Sequence, residues 1–311
     1  MKTKNSVEHP SSNSPKPLLL DQYPKKNFWD FSDIFQSQGF WYTNPHLEAA
    51  RDILAHFEAR DNDIFLASSI KTGTTCLKAL CFSIIHGWKN VDVKVDEEEE
   101  EEDDPLVKNT PSSCVQTIEN QVYMTNPTSD LLGMPSPRLF HTHFPYSALP
   151  DSIKNSDGIS LTLLGHPSKV HTLLTKHLRA SAMGFTHSDP SSIRKDYWEA
   201  SLKKSDKILF LRYEEIKRDP KGLVKRLASF LGRPFVNEEE VEKALWRCSL
   251  DRLKNLEVNK NGSTAVGLPR NSFYRLGVVG HWKNNFSHEM EERLDQISSM
   301  KLQKTGHDLN K

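Results

Sequence analysis

One segment constrains the fold of this chain more than any other: DIFLASSIKTGTTCLKAL, residues 63–80. Asp63 to Ser68 reads as a short buried strand centred on Ile64, Phe65 and Leu66. Beyond KTGTT, the residues Leu77, Leu80, Cys81, Ile84 and Ile85 form one apolar stripe at helical spacing. Strand, small-residue turn and helix is the arrangement that builds an α/β phosphate site. Gly73 lets backbone come close to a ligand, Thr72, Thr74 and Thr75 offer hydroxyls, and Lys71 adds a point charge. The helix that follows presents free N–H groups carrying partial positive charge. The nucleoside-triphosphatase pattern G-x-x-x-x-G-K-[ST] is absent. By its residues alone, the turn is therefore either another kind of phosphate loop or an ordinary junction with a capping threonine.

The rest of the chain repeats the alternation. Leu47, Ala50, Leu54 and Phe57 follow an Asn44-Pro45 start signal and predict a helix. Strands are expected at Leu139–Thr142, at Ile159–Leu164, where Ile159, Leu161 and Leu163 alternate with polar neighbours, and at Ile208–Leu211. Asp219-Pro220 opens a further helix with the stripe Leu223, Val224, Leu227, Phe230 and Leu231, closed by Gly232 and Pro234. The expected fold is α/β, a single domain with a central, mostly parallel sheet flanked by helices and a phosphate-binding strand-loop-helix. Residues 1–22, rich in Ser, Asn, Lys and Pro, read as a mobile polar leader, and 23–311 as the domain. Asp96 to Asp104 are nine consecutive acidic residues, expected to form a solvated, self-repelling loop.

Composition narrows the partners. Lys plus Arg and Asp plus Glu are 41 each, so the formal net charge is zero, which argues against coating nucleic acid or an anionic membrane by bulk charge. No run approaches the ~18 apolar residues of a membrane span, and the first twenty residues hold no apolar segment of secretory length. The cysteines, Cys76, Cys81, Cys114 and Cys248, lack C-x-x-C spacing and are too sparse for a disulfide scaffold. These features point to a cytoplasmic protein with no nucleic-acid or membrane partner.

Several motifs then follow one another in a recognisable order. DIFLASSIKTGTTCLKAL resembles the donor loop of the cytosolic sulfotransferases. QGFWYTNP precedes it and SPRLFHTHFPYSALP follows, then KILFLRYEEIKRDPKGLVKRLASFLG, CSLDRLKNLEVNK and NSFYRLGVVGHWKNNFSHEMEERL. The resemblance covers most of residues 38–296, and its texture is most like the plant branch. It implies transfer of a sulfuryl group from 3′-phosphoadenosine 5′-phosphosulfate (PAPS) to a hydroxyl-type acceptor on a small molecule. Flavonoids, steroids, hormones and related metabolites are the acceptor classes it implies, with no metal, in a monomer or homodimer. By this resemblance Lys71, Thr72, Gly73, Thr74, Thr75 and Cys76 hold the 5′-phosphosulfate, and Lys71 also neutralises charge developing on the leaving oxygen. His143 matches the general base, a role suited to a side chain whose ordinary pKa lies near neutrality. Tyr213 matches a nucleotide contact, and Arg275, Leu276 and Gly277 match the segment that binds the 3′-phosphate. His141 and His143 lie on one strand face, as a metal pair would, but no motif supplies the remaining ligands.

Departures from the family pattern gather around the nucleotide. Cys76 stands for a tryptophan and Leu250 for a phenylalanine, two aromatics that would stack about the adenine, at roughly 1–3 kcal/mol per base. In LLGHPSKVHTLLTKHL, Gly165 and Leu173 replace an arginine and a serine for the 3′-phosphate, with Lys169, His166 and His171 as neighbouring sources of charge. Leu276 replaces a lysine and His281 an aspartate. Two readings follow: an active sulfotransferase, or a non-catalytic relative that binds a small molecule or partner and has lost the donor.

Overall fold

Two residues with positive φ, Gln38 at 51° and Gly39 at 82°, turn the chain between β2 (Ser32–Ser37) and β3 (Phe40–Thr43). That is the backbone sense that matches the twist of a two-residue hairpin. With β1 (Lys25–Phe28) these strands form a three-stranded antiparallel sheet that the sequence reading did not anticipate. The structure is a computed structural model. It describes residues 20–28, 32–70, 72–86, 104–125, 131–164, 190–264, 267–274, 277 and 287–302. Lys71, Gly165, Leu173, Arg275, Leu276, most of the leader and the acidic run up to Asp103 lie outside the described residues.

α1 (Asn44–His56) follows β3, with Pro45 in its first turn. It covers the expected span, but its buried stripe is His46, Leu47, Ala49, Ala50 and Ile53. Leu54, expected inside, is 43% exposed, and Ile53, which shares the buried face with Ala49 and Phe57 at four-residue spacing, takes its place.

The central sheet is parallel throughout, in the order β5-β6-β4-β7-β8. Its strands are β4 (Ile64–Ser68), β5 (Gln116–Thr117), β6 (Leu139–Thr142), β7 (Ile159–Leu164) and β8 (Ile208–Arg212). On one face, Ile64, Leu66, Leu139 and Leu211 pack against α2 (Thr74–His86), and this core continues to Leu223, Val224 and Leu227. On the other, Phe65, Ala67 and Phe140 pack with α1 and with Ile193 and Tyr197 of α3 (Pro190–Lys203). With both faces covered, Ser160 and Thr162 are buried in β7, where the alternating pattern had suggested a polar face.

β8 runs directly into α4 (Tyr213–Arg218), so Tyr213 opens a helix instead of closing a strand. α5 (Pro220–Phe230) is capped by the Asp219 carboxylate, which accepts the Gly222 N–H at 2.9 Å. α6 (Glu238–Arg247) and α7 (Leu250–Asn255) complete the elements near the site. At the amino ends of β4 and β6, Arg138 and Asp63 form a buried ion pair. At the opposite, carboxyl ends, the chain leaves β4 with β6 on one side and β7 on the other. That is a topological switch point, where open α/β sheets bind ligands.

Candidate functional site

The carboxyl end of β4 delivers Ser68 to the centre of this crevice, and the chain then turns into α2. Gly73 takes φ 100°, a value that L side chains rarely adopt, and its carbonyl accepts the Leu77 N–H at 3.0 Å. Thr72 is buried, and its hydroxyl donates to the Ser69 carbonyl at 2.6 Å, pinning the turn from within. α2 begins at Thr74, so Thr74, Thr75 and Cys76 form the first helical turn, where N–H groups lack intrahelical partners. A helix start of this kind suits an anion.

His143 lies just past the end of β6. Its Nδ1 is 2.7 Å from the Ser68 carbonyl oxygen. A carbonyl only accepts, so Nδ1 carries the proton and Nε2 of the neutral ring holds the lone pair. The backbone N–H of His143 donates to Glu119 Oε1 at 2.7 Å, which fixes the chain where the ring emerges. Glu119 sits on a π-helical turn, Ile118–Tyr123, and is 1% exposed. Burial pushes its carboxyl up to about 7, against hydrogen bonds from the His143 and Glu119 backbone and from Thr142, and against the charge of Lys78.

His141 is fully buried, its ring centroid 4.5 Å from that of His143. Both of its ring nitrogens are engaged within the protein: Nε2 lies 2.8 Å from Ser68 Oγ and Nδ1 3.2 Å from Thr117 Oγ1. That leaves no nitrogen of His141 for a metal shared with His143. Ser68 Oγ is also 2.6 Å from Thr74 Oγ1, and Lys78 Nζ donates to Thr117 Oγ1 at 2.9 Å. Lys78 is 1% exposed, and burial lowers its ammonium to about 7 while Glu119 pulls the other way.

A second cluster forms where α4, α7 and the chain at Gly277 meet. Gly277 has φ 58°, and a Cβ there would stand 2.4 Å from Leu250 Cδ2 and 3.7 Å from Lys217 Nζ. Lys217 Nζ lies 5.9 Å from the centroid of the Tyr213 ring. Burial and then the neighbouring Cys76 push the Tyr213 hydroxyl up to about 12. Tyr213, Cys76 and Gly277 are thus brought to one region with Leu250, while Lys71, Arg275 and Leu276 fall outside the described residues.

A sulfotransferase-domain profile matches residues 61–165 and 189–306. The chain belongs to the sulfotransferase family. Across 308 residues it is 32% identical to cytosolic sulfotransferase 12 of Arabidopsis thaliana, covering 93% of this chain and 92% of that protein. That puts it on the plant branch of the cytosolic sulfotransferases. Its fold resembles the crystal structure of a putative steroid sulphotransferase from Arabidopsis thaliana, with TM-score 0.71, 28% identity and 93% of each chain covered. It also resembles a mouse sulfotransferase complexed with PAP, with TM-score 0.65 and 22% identity over 89% of this chain and 96% of that one.

In this plant-type sulfotransferase chain, sequence reading missed Ser68, Lys78, Thr117 and Glu119, and weighed His141 only as a metal ligand. One signal was available: Lys78 interrupts the apolar stripe of its helix, which a merely solvated lysine has no reason to do. The other residues are ordinary types whose importance comes from strand register. Thr117 pairs with His141 across β5 and β6, and nothing local announces it.

Proposed function

We propose that this chain transfers a sulfuryl group from PAPS to a hydroxyl of a small molecule, with His143 as general base. The observation that carries the reading is the hydrogen bond from His143 Nδ1 to the Ser68 carbonyl, which fixes the ring beside the phosphate loop and assigns its proton to Nδ1. PAPS, when bound, supplies a sulfuryl group activated by its phosphate leaving group. His143 Nε2 takes the acceptor's proton as the acceptor oxygen bonds to sulfur. The electron pair of the breaking S–O bond stays on the phosphate oxygen, where Lys71 and the N–H groups of the loop neutralise it, so no metal is needed.

Thr72, Gly73, Thr74, Thr75 and Cys76 hold the 5′ end of the donor, Tyr213 contacts its nucleotide, and Arg275, Leu276 and Gly277 hold its 3′-phosphate. The loop's positive φ and half-buried helix start, and the gathering of Tyr213, Cys76 and Gly277, fit such a ligand. For the acceptor, the family resemblance and the likeness to a putative steroid sulphotransferase support a flavonoid, a steroid or a related hormone. We read residues 23–311 as one sulfotransferase domain, acting in the cytoplasm as a monomer or homodimer; no helix among the described residues is long and apolar enough to cross a membrane.

The test is turnover of PAPS with a panel of flavonols, sterols and hydroxylated hormones. His143→Asn is expected to lower kcat by about 10²–10⁴, the usual share of a general base, with affinity for 3′-phosphoadenosine 5′-phosphate (PAP) retained. A variant that keeps full turnover would remove His143 from this role.

A further inference from the structure

Four buried polar side chains lie between the interior of α2 and the phosphate loop, and every link between them has hydrogen-bond length. Lys78 Nζ is 2.9 Å from Thr117 Oγ1, Thr117 Oγ1 3.2 Å from His141 Nδ1, His141 Nε2 2.8 Å from Ser68 Oγ, and Ser68 Oγ 2.6 Å from Thr74 Oγ1. We propose that Lys78, Thr117, His141 and Ser68 are positioning residues that form a one-way chain of hydrogen-bond donors, aiming the Thr74 hydroxyl at the anion held by the loop.

The direction follows from what each group can give. Below the value of about 7 to which burial lowers it, Lys78 is an ammonium and only donates, so Thr117 accepts from it and has its own hydroxyl proton to give to His141 Nδ1. A neutral imidazole that accepts at Nδ1 donates at Nε2, so the ring hands its proton to Ser68 Oγ. Ser68 in turn donates to Thr74, and the Thr74 hydroxyl proton is left to point away from the chain, into the first turn of α2. Burial, with the charge of Lys78 and the neighbouring His143 adding to it, holds His141 well below the ordinary histidine range, so its ring is neutral and carries a single N–H. The groups bearing on Lys78 and His141 are Glu119, His143 and each other. Ser68 joins this chain to the base, because its carbonyl also orients His143. A loop ordered this way presents its donor before the ligand arrives, and the ligand need not reorganise it.

The inference rests on the reading of the loop as the PAPS site, and two measurements separate the two. The first is the tautomer of His141 in the free protein at pH 6, read from ¹⁵N ring shifts and assigned against His141→Gln. The proton is expected on Nε2; a proton on Nδ1, or on both nitrogens, overturns the chain. The second is calorimetric titration with PAP. Thr117→Val keeps the shape and removes the hydroxyl, and is expected to weaken PAP about tenfold, since the lost bond is to a charged, buried partner. Thr117→Ser restores the hydroxyl and should bind within about twofold of wild type. If Thr117→Val fails to fold, Ser68→Ala against Ser68→Thr repeats the comparison one link along. Wild type binding PAP and Thr117→Val binding it equally would overturn the relay alone. Wild type binding no PAP would overturn the loop reading and the relay's purpose together.

Discussion

Ser68 uses two oxygens for three partners: its hydroxyl meets Thr74 and His141, and its carbonyl takes the His143 Nδ1 proton. One residue thereby sets the loop and the proposed base at a fixed separation. Glu119 does the same for the His143 backbone, at the cost of an acid in the interior. The cost has a definite sign. The folded carboxyl holds its proton up to about 7, against a reference value of 4.5. Between those values the folded chain binds more protons than the unfolded one, so this group's contribution to stability is whole below the window and falls as pH rises through it. Chemical denaturation of wild type and Glu119→Gln from pH 5 to pH 7 should therefore show the wild-type advantage shrinking. An advantage that does not change with pH would contradict this. Of these residues Thr74 and His143 were singled out in the sequence, each through its flanking motif. Ser68, Thr117 and Glu119 carry no local mark, because their roles arise from pairings made across the sheet.

Strand β4, its loop and α2 were readable because hydrophobic period, a glycine and a threonine-rich turn all favour the same local structure. The small antiparallel sheet was not. Its strands are four to six residues long and only partly buried, and one of its turn residues is a glutamine at positive φ. The position of Tyr213 shifted for a related reason: β8 passes into α4 with no intervening loop to signal the change. What ties strand to strand is also polar. Arg138 donates to Asp63 through Nε at 2.8 Å and Nη2 at 2.5 Å, and to the Glu58 carbonyl at 2.9 Å, with its guanidinium over the Phe57 and Phe140 rings. Arg138→Met leaves the Asp63 carboxylate buried without its partner and is expected to cost about 3–5 kcal/mol in denaturant unfolding. PAP affinity of the folded protein should not change, because the pair sits at the amino ends of the strands and the loop at the carboxyl ends. A loss of under about 1 kcal/mol would mean that the aromatic packing, not the ion pair, holds this end.

At the scale of the molecule, the order β5-β6-β4-β7-β8 is what makes the site, and no strand's sequence states it. Because β4 lies between β6 and β7, its loop and the residue after β6 face one crevice. The two positions where the family pattern has aromatics bear on the same place: Leu250 lies against Gly277, and Cys76 lies beside Tyr213. Whether the remaining contacts hold the donor decides between a working sulfotransferase and a relative that has kept only the fold. Calorimetric titration of the purified protein with PAP, with Lys71→Ala beside it, asks that directly. Saturable binding to wild type, weakened about tenfold or more by Lys71→Ala, a difference of at least about 1.4 kcal/mol, is the expected result. Folded protein that takes up no PAP at millimolar ligand, or binds it equally with Lys71 removed, would contradict the donor site and favour the non-catalytic relative.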